Sequence, residues 1–108
     1  HFGVKDVFVN IAGGLRLDDP SVDLGIVCAL LSSYEDKPLP QHYCFAGEVG
    51  LNGEIRAVNR IEQRIAEAAK LGFEKIYISP YNKFRNKKEQ SIQIVEVSMV
   101  GDLYQALF

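Results

Sequence analysis

Cysteine and histidine are scarce in this sequence of 108 residues, which has two of each and no CxxC pair. A zinc site built on paired cysteines is therefore excluded within the chain, and we expect no metal site in it. Cys28 and Cys44 both lie in apolar runs, which predicts buried, reduced thiols of a cytoplasmic protein. No apolar run approaches the ~18 residues of a membrane helix, and no signal-peptide pattern opens the chain. We therefore expect no contact with a membrane.

Nucleotide-binding loops are also missing. The sequence contains no GxxxxGK(S/T) and no GxGxxG between a strand and a helix, so we expect no bound cofactor in this chain. Positive charge is not in excess either, since the formal net charge is −2. No global field then draws the chain to nucleic acid, and any DNA contact has to be local. The sequence as a whole is 47% hydrophobic and 24% charged, which is typical of one globular domain with a hydrophobic core.

The triplet Asp19-Pro20-Ser21 has the composition of a helix start. Asp19 is expected to cap the helix, and Pro20 fits the first turn because its missing N–H costs nothing there. The helix is predicted to run to about Tyr34 and is apolar nearly all round, so we expect it to be covered on most sides. Ser21 has two interpretations. A serine there is usually a capping residue, but a hydroxyl at a helix N-terminus can also be a nucleophile beside an oxyanion site.

Three signals follow one another in the middle of the chain. Asn52-Gly53 lies between two apolar runs, which is typical of a type I′ turn and predicts antiparallel pairing of Phe45–Val49 with Glu54–Val58. Asn59 is expected to cap the helix that follows. Within that helix Arg64 falls inside the apolar stripe, where a charged residue is out of place.

The other periodic segments predict three strands and a terminal helix. A glycine, Gly72, should end the helix that contains Arg64. The element order β α β β α β β α indicates an α/β, or α+β, two-layer domain with a mixed sheet. The strands are expected at Val4–Ile11, Lys75–Ser79 and Ile92–Val97, and the terminal helix at Val100–Phe108.

The segments DPSVDLGIVCAL and AGEVGLNGEIRAVNRIEQR resemble the proteolytic domain of Lon-type ATP-dependent proteases. The resemblance implies a fold similar to ribosomal-protein domain 2, a nucleophilic serine at a helix start, a Gly-Glu pair on a strand and a lysine base on the next helix. Aligned without gaps, Ser21 matches the serine and Gly47-Glu48 match the pair. Arg64 stands at the position of the lysine.

The departures from that family decide what we expect of the site. Arginine cannot be deprotonated in a protein, so Arg64 cannot take the serine proton as a general base. Asp23 replaces a glycine that follows the serine in the family, and Ala46 replaces a threonine. Ser21 and Arg64 are therefore interpreted as a degenerate dyad, and no active catalytic residue is expected.

Four further segments, DVFVNIAGG, SSYEDKPLP, GEVGLNGEIR and EAAKLGF, are together similar to the C-terminal Lon-like domain of the bacterial RadA (Sms) repair and recombination ATPases. The resemblance implies that residues 1–108 are a single Lon-protease-like domain, a fragment without its first strands and without upstream zinc and RecA-like ATPase domains. It implies ATP, magnesium and zinc in a cytoplasmic full-length protein. It also implies a hexameric ring that acts with the recombinase RecA in branch migration on single-stranded or branched DNA.

Basic residues are the candidates for contact with DNA phosphates or with other subunits. The arginines could instead pair with Asp18, Asp19, Glu48 or Glu62, and a charge-rich loop is normally only solvated. Three functions remain open, namely a DNA-binding scaffold without peptidase activity, a Lon-type serine peptidase with another base, and an oligomerisation module alone. The basic candidates for contact with DNA or other subunits form two sets. The first set surrounds the degenerate dyad and consists of Arg16, Arg56, Arg60 and Arg64. The second set lies in a loop that also holds Tyr81 and Phe84, and it consists of Lys83, Arg85, Lys87 and Lys88.

Overall fold

The computed structural model describes residues 19–84 and 91–108. The predicted strand Val4–Ile11 and the candidates Arg16, Arg85, Lys87 and Lys88 lie outside the described residues. The elements in chain order are a 3-10 turn Pro20–Val22, α1 Asp23–Glu35, β1 Tyr43–Ala46, β2 Glu48–Val49, β3 Ile55–Arg56, α2 Ile61–Lys70, β4 Lys75–Ile78, β5 Gln93–Glu96 and α3 Val100–Leu107. The predictions for β4, β5 and the terminal helix are confirmed, and each observed end lies within one residue of the predicted end.

The strands of the described part form two sheets. β1, β4 and β5 make a three-stranded parallel sheet in the order β1-β4-β5, while β2 and β3 make a separate antiparallel pair. In the parallel sheet Cys44 stands opposite Ile76, which in turn stands opposite Ile94. The predicted mixed α/β class is confirmed, with the parallel and antiparallel pairings divided between two sheets.

Two apolar cores lie on the two faces of the parallel sheet. Phe45 and Tyr77, whose rings stack with centroids 5.4 Å apart, belong to a core shared with α1 and α3. Cys44 and Ile76 belong to the second core, which α2 completes with Ile65. Because both faces are covered, nearly every residue of β1 and β4 is buried, as is usual for parallel strands.

The described residues hold no evident redox or metal centre. Cys28 and Cys44 are free and buried, as predicted, and burial raises the pKa of each thiol to about 12. Neither cysteine is then a thiolate at neutral pH. Within residues 19–84 and 91–108, no three His, Cys, Asp or Glu side chains are grouped so that they could hold a metal ion. None of the helices described is long and apolar enough to cross a membrane.

The hairpin differs from the prediction in its length and in its turn. The first predicted strand breaks at Gly47, so β1 and β2 lie in different sheets and only two residue pairs join β2 to β3. The turn is not type I′, because Gly53 has φ +81° but Asn52 has no positive φ. The Gly53 N–H donates to the Gly50 carbonyl at 3.0 Å, and the Gly50 N–H donates to the Glu54 carbonyl at 2.9 Å. These bonds close a three-residue loop, in which only the last residue has to be left-handed.

Helix α1 begins as the sequence predicts but is less enclosed than expected. The Asp19 side chain accepts a hydrogen bond from the Ser21 N–H at 2.9 Å, and Pro20 opens a 3-10 turn that leads into α1. The expectation that the helix is covered on most sides is wrong for one face. Leu30 and Tyr34 are 61% and 84% exposed, because within the described residues α1 packs against the rest of the domain through its opposite face.

Helix α2 has a predicted end and an unpredicted start. Gly72 has φ +93°, and the Phe73 N–H donates to the Ala68 carbonyl at 3.1 Å, so the predicted glycine terminus is confirmed. The predicted cap is wrong. Arg60, rather than Asn59, is the N-cap, and it is left-handed with φ +61° and without a side-chain hydrogen bond to the helix. The chain needs this backbone conformation to turn from β3 into α2.

Candidate functional site

The backbone of Gly47 holds the first turn of α1. The Gly47 N–H donates to the Ser21 carbonyl at 3.0 Å, and the Leu24 N–H donates to the Gly47 carbonyl at 2.9 Å. A Cβ at Gly47 would lie 2.9 Å from Cγ2 of Ile55 and 3.2 Å from Cδ2 of Leu24. The close approach therefore requires glycine. It places the Gly47-Glu48 pair of the Lon-type resemblance beside Ser21.

Asp19 joins the starts of α1 and α2. Its Oδ1 accepts the Ser21 N–H, and its Oδ2 lies 2.8 Å from Nη2 of Arg64. Arg64 also donates from Nε to the Asn59 carbonyl at 2.9 Å, and its side chain is only 14% exposed. Burial by itself would raise the pKa of the Asp19 carboxyl. The hydrogen bond from the Ser21 N–H and the Arg64 guanidinium outweigh it and lower that pKa below its usual 3.8.

Ser21 has the surroundings of a packed residue rather than of an activated nucleophile. It is fully buried, and its Oγ has no hydrogen-bond partner in the part of the chain that the structure describes. A nucleophilic serine needs a base within hydrogen-bond reach to take its proton. The Arg64 side chain donates its described hydrogen bonds to Asp19 and Asn59, and its guanidinium has no lone pair to accept a proton.

The aspartate that follows Ser21 has a structural contact of its own. Oδ2 of Asp23 accepts a hydrogen bond from the Val49 N–H at 3.3 Å, which ties the first turn of α1 to β2. The carboxylate that replaces the family's glycine therefore holds the hairpin against the helix. Glu48 lies on the same side and lines the cavity described next. Two carboxylates near Ser21 disfavour the development of negative charge on a bound carbonyl oxygen.

Two adjoining cavities lie at the start of α2 and share residues 57–60. We call the first the serine cavity; it has a volume of about 370 Å³ and brings both residues of the predicted dyad together. We call the second the tyrosine cleft; it has a volume of about 610 Å³. The serine cavity is lined by Asp19, Ser21, Glu48, Asn59, Arg60 and Arg64. The tyrosine cleft is lined by Arg60, Glu62, Gln63, Tyr81, Asn82 and Lys83.

The basic candidates that are described fall into two kinds. Arg56 is paired with Glu54, with Nη2 2.7 Å from Oε2, and Arg64 is paired with Asp19. Arg60 and Lys83 are exposed and make no ion pair with any residue of the described ranges. Both of these free cations line the tyrosine cleft.

The sequence interpretation missed the residue that builds one wall of this cleft. Asn82 is only 6% exposed, its Oδ1 accepts the Val58 N–H at 3.0 Å and its Nδ2 donates to the Ser79 carbonyl at 3.2 Å. It thus joins the chain after β3 to the chain after β4. Only the turn-forming run that starts at Pro80 pointed to this position, because the partner lies 24 residues away.

Comparison with protein families matches residues 1–82 to the family described as subunit ChlI of Mg-chelatase. The chain belongs to this ChlI family. Among curated proteins it is 46% identical over 104 residues to the DNA repair protein RadA of Streptococcus pneumoniae, which covers 96% of the chain and 25% of that protein. It is 48% identical over 98 residues to RadA of Listeria monocytogenes, covering 91% of the chain and 21% of that protein. RadA of Bacillus subtilis is 45% identical over 98 residues, with the same coverage.

These relatives confirm the similarity to bacterial RadA proteins that the sequence suggested. The chain spans about a quarter or less of the length of the relatives it matches. The RadA relatives are matched over nearly the whole chain, and they therefore guide the functional proposal.

Proposed function

We propose that this chain is a Lon-like domain of a RadA-type DNA repair protein, where it contacts DNA and supports ring assembly without acting as a peptidase. The proposal is carried by the 46% identity over 96% of the chain to a protein named DNA repair protein RadA. Two parts of the proposal concern this domain alone. The lack of peptidase activity is argued from the geometry around Ser21, and DNA contact is argued from Arg60 and Lys83.

The proposed absence of peptidase activity is supported by the chemistry of the Ser21 surroundings. Arg64 stands where Lon-type proteases carry the lysine base, and its charge is held by Asp19 at 2.8 Å. A guanidinium has no lone pair with which to accept the serine proton. The Ser21 Oγ makes no hydrogen bond of normal geometry to a described residue. The neighbouring Asp19 carboxyl has a lowered pKa, which makes it a weak base for the serine proton.

Contact with DNA is supported by the basic residues that have no ion-pair partner within residues 19–84 and 91–108. Arg56 and Arg64 already neutralise Glu54 and Asp19, so their charges serve the domain itself. Arg60 and Lys83 are exposed beside a cleft and remain available to phosphates. We propose these two, with Arg16, Arg85, Lys87 and Lys88 still candidates by sequence, as the DNA-contacting set.

The context of the whole protein is part of the same proposal. A RadA-type protein would supply the RecA-like ATPase core with ATP and magnesium and the zinc module, none of which we assign to residues of this chain. The domain would then work within a hexameric ring in the cytoplasm, together with the recombinase RecA, in branch migration of recombination intermediates.

A module that only assembles subunits is the second candidate. The observation that favours it is the exposed apolar face of α1, where Leu30 and Tyr34 are 61% and 84% exposed. Such a face is suited to burial against another subunit. Assembly and DNA contact are compatible, but a pure scaffold should show no salt-dependent affinity for DNA.

Two assays on the full-length protein test the proposal. The first offers an unfolded protein substrate to the wild type and to Ser21→Ala, and we expect no hydrolysis from either. The second measures binding of single-stranded DNA at several salt concentrations in the wild type and in Arg60→Gly/Lys83→Ala. We expect the double variant to bind more weakly and with a smaller salt dependence. Hydrolysis abolished by Ser21→Ala would establish a peptidase instead, and unchanged DNA affinity would favour the scaffold.

A further inference from the structure

Tyr81 is an exposed aromatic ring on a firmly held turn. Tyr81 lines the tyrosine cleft and is 70% exposed. Its backbone N–H donates to Oγ of the fully buried Ser79 at 3.0 Å, and the next residue, Asn82, is buried and bonded to Val58. The backbone on both sides of the ring is thus fixed, so little conformational entropy of the main chain is lost when a flat ligand stacks on it.

The charges around the ring favour an anionic ligand. Arg60 and Lys83 line the cleft without an ion pair to a described residue, against one carboxylate, that of Glu62. Arg60 is also held in a left-handed backbone conformation, φ +61°, that an arginine rarely adopts. Residues kept in such conformations cluster at functional sites.

From this juxtaposition we infer that the tyrosine cleft is a subsite for single-stranded DNA, in which one base stacks on Tyr81 and the flanking phosphates lie against Arg60 and Lys83. The inference rests on the proposed function and names the kind of DNA and the mode of contact. Exposed aromatic rings combined with cations are the usual means of holding a single strand without sequence preference. A duplex does not fit this arrangement, because its bases already stack on one another and present no free face to the ring.

The size and the remaining lining of the cleft agree with a nucleotide. A volume of about 610 Å³ lies within the range of pockets that hold small organic ligands. The amides of Asn59 and Gln63 also line it and can hydrogen-bond to base edges. Because an amide both donates and accepts, this lining does not select one base.

Photochemical crosslinking in the full-length protein tests the stacking contact directly. The probe is an oligothymidine that carries 5-iodouracil at alternating positions, irradiated in complex with the protein and mapped by mass spectrometry of the peptides. We expect a crosslink at Tyr81 and none at Tyr34, which is more exposed, at 84% against 70%, but lies on α1 outside the residues that line the cleft. The same oligonucleotide annealed to its complement should crosslink poorly.

Affinity measurements with matched variants accompany the crosslink. Tyr81→Ala should weaken binding of the single strand by about tenfold, while Tyr81→Phe retains the ring and the affinity. Tyr34→Ala should bind as the wild type does. Lys83→Ala and Arg60→Gly should each lower the slope of log affinity against log salt by about 1. Glycine is chosen at position 60 because it accepts the left-handed backbone.

The outcomes separate this inference from the proposed function. If DNA crosslinks to other residues of the domain but not to Tyr81, and Tyr81→Ala binds as the wild type does, the subsite is wrong and DNA contact by the domain stands. If no residue of the domain crosslinks, although the full-length protein binds the probe, both are overturned. Equal crosslinking of the duplex at Tyr81 would contradict the preference for a single strand.

Discussion

Nη2 of Arg64 lies 2.8 Å from Oδ2 of Asp19, and this one contact links the cap of α1 to the first turns of α2. Oδ1 of the same carboxylate accepts the Ser21 N–H at 2.9 Å. Asp19 therefore holds the backbone of Ser21 with one carboxylate oxygen and the side chain of Arg64 with the other. The contact is a structural joint between two helices.

The joint explains why lysine at position 64 should not by itself produce a peptidase. In Arg64→Lys, the ammonium would sit beside the Asp19 carboxylate, which stabilises its charged form, and a charged lysine cannot accept the serine proton. We expect no hydrolysis of an unfolded protein and no labelling of Ser21 by a fluorophosphonate probe. The double variant Asp19→Asn/Arg64→Lys removes that carboxylate and is the informative comparison. Labelling in the single variant would show that Asp19 does not control the charge at position 64.

Asp19 should also make the stability of the domain depend on pH. Its pKa is lower in the folded state than the usual 3.8, so it stabilises the fold above that pH and the contribution is lost as the pH falls through the folded value. The side chain is 25% exposed, so we expect an effect within ~1 kcal/mol. Urea unfolding should show Asp19→Asn less stable than the wild type at pH 6, and the difference in the free energy of unfolding should be smaller at pH 3. A gap that is the same at both pH values would contradict the assignment.

Ser21 and Ser32 offer a matched pair of buried hydroxyls. Oγ of Ser32 donates to the Lys37 carbonyl, whereas Oγ of Ser21 has no partner among the described residues. An unpaired buried hydroxyl contributes only its desolvation cost. Ser21→Ala should leave the free energy of unfolding unchanged or raise it by up to ~1 kcal/mol, and Ser32→Ala should lower it by about 1 kcal/mol. A marked loss of stability in Ser21→Ala would mean that the hydroxyl has a partner, such as a buried water.

Gly47 and Gly101 should respond oppositely to the same methyl group. A Cβ at Gly47 meets Ile55 at 2.9 Å and Leu24 at 3.2 Å, and both neighbours are fully buried. Gly47→Ala should therefore lower the free energy of unfolding by about 1–3 kcal/mol. Gly101 lies in α3 with open space around it, so Gly101→Ala should raise stability by about 0.5–1 kcal/mol. Chemical denaturation of the two variants checks both, and similar stabilities would show that Gly47 has more room than its neighbours suggest.

Features set by neighbouring residues in the chain could be predicted from the sequence. The cap at Asp19, the glycine terminus at Gly72 and the short terminal helix each depend on a few adjacent residues, and the structure has all three. The meeting of Ser21 with Arg64 came from a family resemblance, because nothing local relates residues so far apart.

Features set by distant contacts could not be predicted. The segment 43–49 has strand character throughout, and it breaks at Gly47 because Leu24 and Ile55 pack against that point. The tyrosine cleft likewise depends on the hydrogen bond between Asn82 and Val58. The periodicity of the sequence does not predict a contact between residues 24 positions apart. Positive φ at Arg60 was missed because arginine carries no turn signal.

At position 60 the left-handed backbone favours glycine, whereas the arginine that is present supplies a positive charge at the surface. Glycine adopts φ +61° without strain. The Arg60 side chain makes no described ion pair and no capping hydrogen bond, so glycine at position 60 would remove neither kind of contact. The domain is therefore less stable than the same fold would be with glycine at position 60. A more heat-resistant form lies one substitution away, and it would be obtained at the expense of a cation at the mouth of both cavities.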